Sequence, residues 1–124
     1  MKRDFRITEK DMLDTRHFPI SAIFNSIPDD TFIRTITPLG DGSGFGVEYG
    51  ACVFPNDLDE YEITTSGIFE GVQFGLHNGE EIVVDYPTFY YYLDIVCSIY
   101  LEDYPKDSEK IKEILSKTKQ TLRL

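Results

Sequence analysis

Residues 69–101 read FEGVQFGLHNGEEIVVDYPTFYYYLDIVCSIYL, and the period of their apolar positions changes once, at Pro87. Before that point Glu70, Val72, Phe74 and Leu76 share one side of an extended chain, while Phe69, Gly71, Gln73 and Gly75 share the other. This alternation predicts a strand. His77-Asn78-Gly79-Glu80 carries the Asn-Gly pair that favours a type I′ hairpin turn, and Ile82-Val83-Val84 runs back from it. From Pro87 onward, Phe89, Leu93, Val96, Cys97 and Tyr100 recur at helical spacing, and Ile95, Ile99 and Leu101 widen the stripe. A helix apolar over so much of its circumference is covered on more than one side. Strand, turn, strand and buried helix in succession predict an α+β fold.

Toward the carboxyl terminus, Tyr104-Pro105 predicts a turn into a last helix. Asp107 and Ser108 supply cap-type side chains there, and Ile111, Ile114, Leu115, Thr118 and Leu122 form its inward stripe. Toward the amino terminus, Tyr61, Ile63 and Thr65 alternate with Glu62 and Thr64 as a strand, and Phe45 to Phe54 reads as another. Thr31 to Thr37 is rich in β-branched residues and stops at Pro38, which predicts a further strand. Pro19 suits a first helical turn, with Ile20, Ile23, Phe24 and Ile27 on one face. The first sixteen residues are mostly charged, so a loosely held start is expected, anchored only through Phe5, Ile7, Met12 and Leu13. The expectation is one domain over 1–124: an antiparallel sheet of about four to five strands, packed by a short amino-terminal helix and a carboxyl-terminal two-helix hairpin.

Length and composition agree with one domain, since 124 residues at 41% apolar suffice for a core. No uncharged run approaches the ~20 residues that cross a bilayer, so a soluble, cytoplasmic protein without membrane contact is expected. Cys52 and Cys97 stand far apart among apolar neighbours, as reduced, buried thiols would.

Charge is distributed unevenly. From Thr35 to Pro105 there is no lysine or arginine, yet this stretch holds thirteen carboxylates and all eight tyrosines. Residues 1–34 sum to zero and 106–124 to +3, within a formal net charge of −10. Such a field attracts cationic partners and repels nucleic acid, whose binding depends on Lys and Arg. The densest acids lie between Glu48 and Glu70. Glu48, Tyr49, Asp57, Asp59, Glu60, Tyr61, Glu62 and Glu70 are therefore the candidate face for a basic protein.

Other chemistries fail on spacing. Gly40-Asp41-Gly42-Ser43-Gly44-Phe45-Gly46 has neither a dinucleotide fingerprint nor a P-loop lysine, so it reads as a turn entering a strand. An EF-hand begun at Asp57 would need glycine at its sixth place and glutamate at its twelfth, where Glu62 and Ile68 stand. No metal or cofactor is expected, and an acidic cation-binding module is the weaker alternative. His17 and His77 are placed where solvated histidines are common, and nothing brings either to Cys97, so a small thiol- or carboxylate-dependent enzyme is also disfavoured. Tyr90, Tyr91 and Tyr92 point about 100° apart on a helix. They cannot share one environment, and packing at the core edge is expected.

The segments Phe69-Glu70-Gly71-Val72-Gln73-Phe74, Gly79-Glu80-Glu81-Ile82-Val83-Val84, Tyr86-Pro87-Thr88-Phe89-Tyr90 and Tyr100-Leu101-Glu102-Asp103-Tyr104-Pro105, followed by Lys110-Ile111-Lys112-Glu113-Ile114-Leu115, carry a resemblance. Over residues 63–118 the chain resembles the immunity proteins of bacterial contact-dependent growth inhibition systems, in particular those against ribonuclease toxins. The resemblance implies a cytosolic protein that binds a cognate nuclease toxin domain and blocks its active site, without chemistry of its own; a monomer before toxin binding is expected. A nuclease cleft that holds polyanionic RNA is basic, so an acidic, tyrosine-bearing face suits such a plug.

Overall fold

The structure, a computed structural model, describes residues 6–57 and 70–124. Among these residues, strands β1 (Phe45–Val47), β2 (Gly50–Val53), β3 (Val72–Leu76) and β4 (Glu81–Val84) form one antiparallel sheet in chain order. Among the described residues four α-helices accompany it: α1 (Phe18–Asn25), α2 (Phe32–Ile36), α3 (Tyr86–Asp103) and α4 (Ser108–Thr121). The class is α+β, with the helix pair at the carboxyl end, as the change of period at Pro87 implied.

The register lines Phe45, Cys52, Phe74 and Ile82 across one face of the sheet, and α1 packs there. Phe24 of α1 meets Phe45 and Phe74 at ring-centroid distances of 5.9 and 5.5 Å. Phe89 of α3 closes the cluster against Phe54 at 5.4 Å and Phe74 at 6.1 Å. Asp85 starts α3 by accepting the Thr88 N–H at 2.9 Å, and Pro87 stands in the first turn, where its missing N–H costs nothing. Helix α4 packs against residues 37–41, α3 and α2, where the Thr121 hydroxyl donates to the Gly40 carbonyl at 2.6 Å and Lys117 pairs with Asp41. Asp107 does not cap α4 as expected, because its carboxylate accepts the Tyr100 hydroxyl at 2.6 Å instead.

Several elements differ from expectation. Residues 31–37 are not a strand: a 3₁₀ turn leads into α2. Alternation would have turned Arg34 to the same side as buried Phe32 and Ile36, whereas the helix buries those two and leaves Arg34 exposed. Phe45 to Phe54 is two strands, not one, with Glu48-Tyr49 as the turn. Among the described residues, Arg123 is the one non-glycine with positive φ, so this turn uses residues of ordinary conformation. The signal was Gly50, where a Cβ would lie 2.3 Å from the Gly75 carbonyl oxygen. In the β3–β4 loop only Gly79 has positive φ, at 98°, so the turn is not type I′. It has three residues, closed by the Gly79 N–H on the Leu76 carbonyl and the Leu76 N–H on the Glu80 carbonyl. The strand expected at Tyr61 to Thr65 lies outside the described residues.

The start of the chain is not loosely held from Arg6 onward. Arg6 and Ile7 are buried, and the Asn25 carboxamide accepts both backbone N–H groups at 2.8 Å. The Arg6 guanidinium donates to the Phe24 carbonyl at 2.8 Å, pairs with Asp29 at 2.6 Å, and lies 4.6 Å above the Phe32 ring.

Candidate functional site

The antiparallel order places the β1–β2 turn and the β3–β4 turn at the same end of the sheet, since Val47 pairs with Gly50 and Gly50 with Leu76. The two turns are joined directly: the His77 N–H donates to the Tyr49 carbonyl at 2.9 Å. Glu48 and Tyr49 are exposed at this end, Tyr49 by 61%. The β3–β4 turn adds exposed Glu80 and the start of β4 adds exposed Glu81, held by the Asn78 carboxamide at 3.2 Å and the Gln73 carboxamide at 3.3 Å. Among the described residues, ion pairs form at Arg6–Asp29, Arg16–Asp14 and Lys117–Asp41, and no cation pairs with Glu48, Glu80 or Glu81. These three carboxylates and one tyrosine make an acidic surface without internal neutralisation. Glu80 and Glu81 were absent from the sequence candidates because only strand register shows which turns adjoin.

The other candidates lie elsewhere. β2 ends at Val53 and β3 begins at Val72, so Asp57 and Glu70 flank the opposite end of the sheet. Strands of this length separate the two ends by roughly 10–15 Å. The four described residues among the eight chosen from sequence therefore do not adjoin, for Glu48 and Tyr49 stand at one end and Asp57 and Glu70 at the other. Glu70 is exposed. Asp57 is occupied in holding the backbone, since its Oδ2 accepts the Gly44 N–H at 2.9 Å and the Phe54 N–H at 2.7 Å, tying the entry of β1 to the exit of β2. That approach is close enough that a Cβ on Gly44 would lie 1.8 Å from the Cys52 carbonyl oxygen. Asp59, Glu60, Tyr61 and Glu62 lie outside the described residues.

The thiols and histidines do not converge. Burial pushes the Cys97 thiol up to about 12 from its ordinary 9.0, and burial aided by the Asp57 charge raises Cys52 well above that value. A thiol held protonated is a poor nucleophile. His17 is half-buried and its Nδ1 bonds the Tyr92 hydroxyl at 2.7 Å, while His77 is exposed in the β3–β4 turn. Tyr90, Tyr91 and Tyr92 are half-buried, exposed and buried in turn. Among the described residues, no three His, Cys, Asp or Glu side chains gather as a metal site, and no helix is long and apolar enough to cross a membrane.

The raised thiols have a consequence at alkaline pH. A group whose pKa is higher folded than unfolded contributes its full stability below the unfolded value, and loses it as pH rises toward the folded one. Cys97 and Cys52 therefore weaken the fold above about pH 9, by about 1.4 kcal/mol per pH unit for each thiol. The urea midpoint is expected to fall steeply between pH 8 and pH 10.5, and a flat profile would contradict burial of the thiols.

The chain matches a family model described as CDI immunity protein over residues 12–115. No curated protein matches it in sequence. In fold it is similar to the crystal structure of an immunity protein from Neisseria meningitidis MC58, with TM-score 0.69 and 21% identity, covering 94% of this chain and 99% of the other.

Proposed function

From the premise that the chain belongs to the CDI immunity protein family, we propose that it neutralises a cognate contact-dependent growth inhibition toxin, a ribonuclease, by binding it one-to-one in the cytoplasm. It acts by occupancy, with no chemistry, metal or cofactor of its own. The observation that carries this reading is the unneutralised acidic end of the sheet, where Glu48, Glu80 and Glu81 share one end with the exposed Tyr49.

Two physical effects divide the work. Attraction of a basic domain depends on summed charge within about 10 Å, so the carboxylates Asp59, Glu60, Glu62 and Glu70 serve encounter even away from the contact. Holding the complex requires desolvated anchors, and tyrosine is among the residues that most often act so. Tyr49 and Glu48 are the proposed anchors, Glu80 and Glu81 the rim, and Tyr61 a second aromatic contact. Asp57 belongs to the framework of the site, because its carboxylate is occupied by two backbone N–H groups.

The test separates these roles. Tyr49→Ala with Glu48→Gln is expected to weaken toxin affinity about 30-fold, mostly through faster dissociation, which corresponds to about 2 kcal/mol. Asp59→Asn, Glu60→Gln and Glu62→Gln together are expected to slow association and flatten its salt dependence. Affinity and protection from toxin unchanged in both sets would overturn the proposed face.

A further inference from the structure

The β3–β4 turn carries a covalent chemistry that binding does not use. Of the three asparagines in the chain, Asn78 alone precedes a glycine. Where glycine follows asparagine, no Cβ shields the glycine nitrogen, which can then reach the asparagine side-chain carbon and close a five-membered ring. Asn78 and Gly79 are both exposed, and a Cβ built on Gly79 would meet nothing within 4 Å. Neighbouring atoms therefore leave room for the ring. The Glu80 N–H donates to Asn78 Oδ1 at 2.9 Å, which draws electron density from the side-chain carbonyl carbon and steadies negative charge on that oxygen.

Asn25, followed by the small residue Ser26, is the contrasting case. Its carboxamide accepts the Arg6 and Ile7 N–H groups at 2.8 Å and donates to the Ile7 carbonyl at 3.0 Å, while the Ser26 N–H is shared between the Ala22 and Ile23 carbonyls. Attack there would release the amino-terminal segment from α1. At Asn78 the restraints are fewer: the Gly79 N–H on the Leu76 carbonyl at 3.0 Å, and Nδ2 on Glu80 Oε1 at 3.2 Å. An exposed turn opens locally at little cost.

We propose that Asn78 is a site of spontaneous deamidation in the folded chain. The Gly79 nitrogen bonds to Asn78 Cγ and gives up its proton to solvent. The Cγ–Nδ2 bond then breaks, and Nδ2 leaves as ammonia with a proton taken from water. A succinimide remains. Water opens it at Cγ to give aspartate, or at the main-chain carbonyl to give isoaspartate. One water is consumed, one ammonia is released, and no electrons are transferred. Either product adds a carboxylate to the end of the sheet that holds Glu48, Glu80 and Glu81, one negative charge beyond the formal −10. The new carboxylate replaces a group that donated to Glu80, so attraction turns to repulsion within the turn. Isoaspartate also lengthens the main chain beside His77, whose N–H joins the two turns. Neither effect depends on the identity of the toxin.

Native isoelectric focusing of the full chain, stored folded for several weeks at mildly alkaline pH and physiological temperature, tests the proposal. A band more acidic by one charge is expected to accumulate and to comigrate with Asn78→Asp. Fragmentation mass spectrometry should find both aspartate and isoaspartate at position 78 in that band. Its rate should rise with pH, because the Gly79 nitrogen attacks after losing its proton. Asn78→Gln, whose longer side chain would have to close a six-membered ring, should abolish the band and keep the native thermal midpoint. Unfolded in urea, the chain should convert about tenfold faster, since both restraining hydrogen bonds are gone, a change of about 1.4 kcal/mol in the barrier. A folded chain that keeps a single band while the unfolded chain converts would overturn the proposal. An acidic band that maps to Asn25 or Asn56, or that persists in Asn78→Gln, would overturn it as well.

Discussion

Arg6→Met is expected to cost about 3 kcal/mol of folding stability, a large share of the ~5–15 kcal/mol typical of a domain. Arg6 is only 8% exposed and satisfies three partners at once: the Phe24 carbonyl, the Asp29 carboxylate and the Phe32 ring face. Methionine fills much of the volume but removes the guanidinium that pairs with Asp29. Asp29 also accepts the Tyr104 hydroxyl at 3.1 Å and its side chain is 21% exposed, which places the loss at the low end for a broken buried pair. Arg6→Met combined with Asp29→Asn should recover part of it, and a double-mutant cycle by urea denaturation measures the coupling. A single-variant loss below ~1 kcal/mol would mean that the network forms after the fold and contributes little to it.

Phe89→Ala is expected to be costlier, at about 3–5 kcal/mol, because the site cannot collapse. The ring is fully buried and contacts Phe54, Phe74 and Phe24 at centroid distances of 5.4, 6.1 and 6.5 Å. Those partners come from the exit of β2, from β3 and from α1, so the ring is where helix α3 and the sheet meet. Phe89→Leu keeps most of the volume and should lose less than half as much. A midpoint in urea for Phe89→Ala within ~0.5 M of the native value would show that the aromatic cluster is looser than its geometry implies.

How legible the chain was depended on whether a pattern had one geometric solution. Val72 to Leu76 with Ile82 to Val84 had one, because alternation on both sides of Asn78-Gly79 requires a hairpin, although the turn itself has three residues. Helix α3 had one too, since its stripe is too wide for any strand. Thr31 to Thr37 had two, for β-branched residues form a half-buried strand or a short helix according to what surrounds them. Arg34 between Phe32 and Ile36 was the discriminating residue. At the candidate site, the choice of Glu48 and Tyr49 depended only on acidity and exposure, which composition conveys. The companionship of Glu80 and Glu81 depended on register, which it does not. Asp57 shows the same limit from the other side, for a carboxylate counted as surface charge is occupied by two backbone N–H groups thirteen and three residues distant in sequence.

The bond from the His77 N–H to the Tyr49 carbonyl also bears on the order of folding. β1–β2 and β3–β4 are local hairpins, each able to form within microseconds. β2 meets β3 only after the chain between Val53 and Val72 has closed on itself. The His77 amide finds its acceptor when that closure is complete, and at no earlier stage. Its exchange with deuterium during refolding therefore dates the docking of the two hairpins, separately from the zipping of either one.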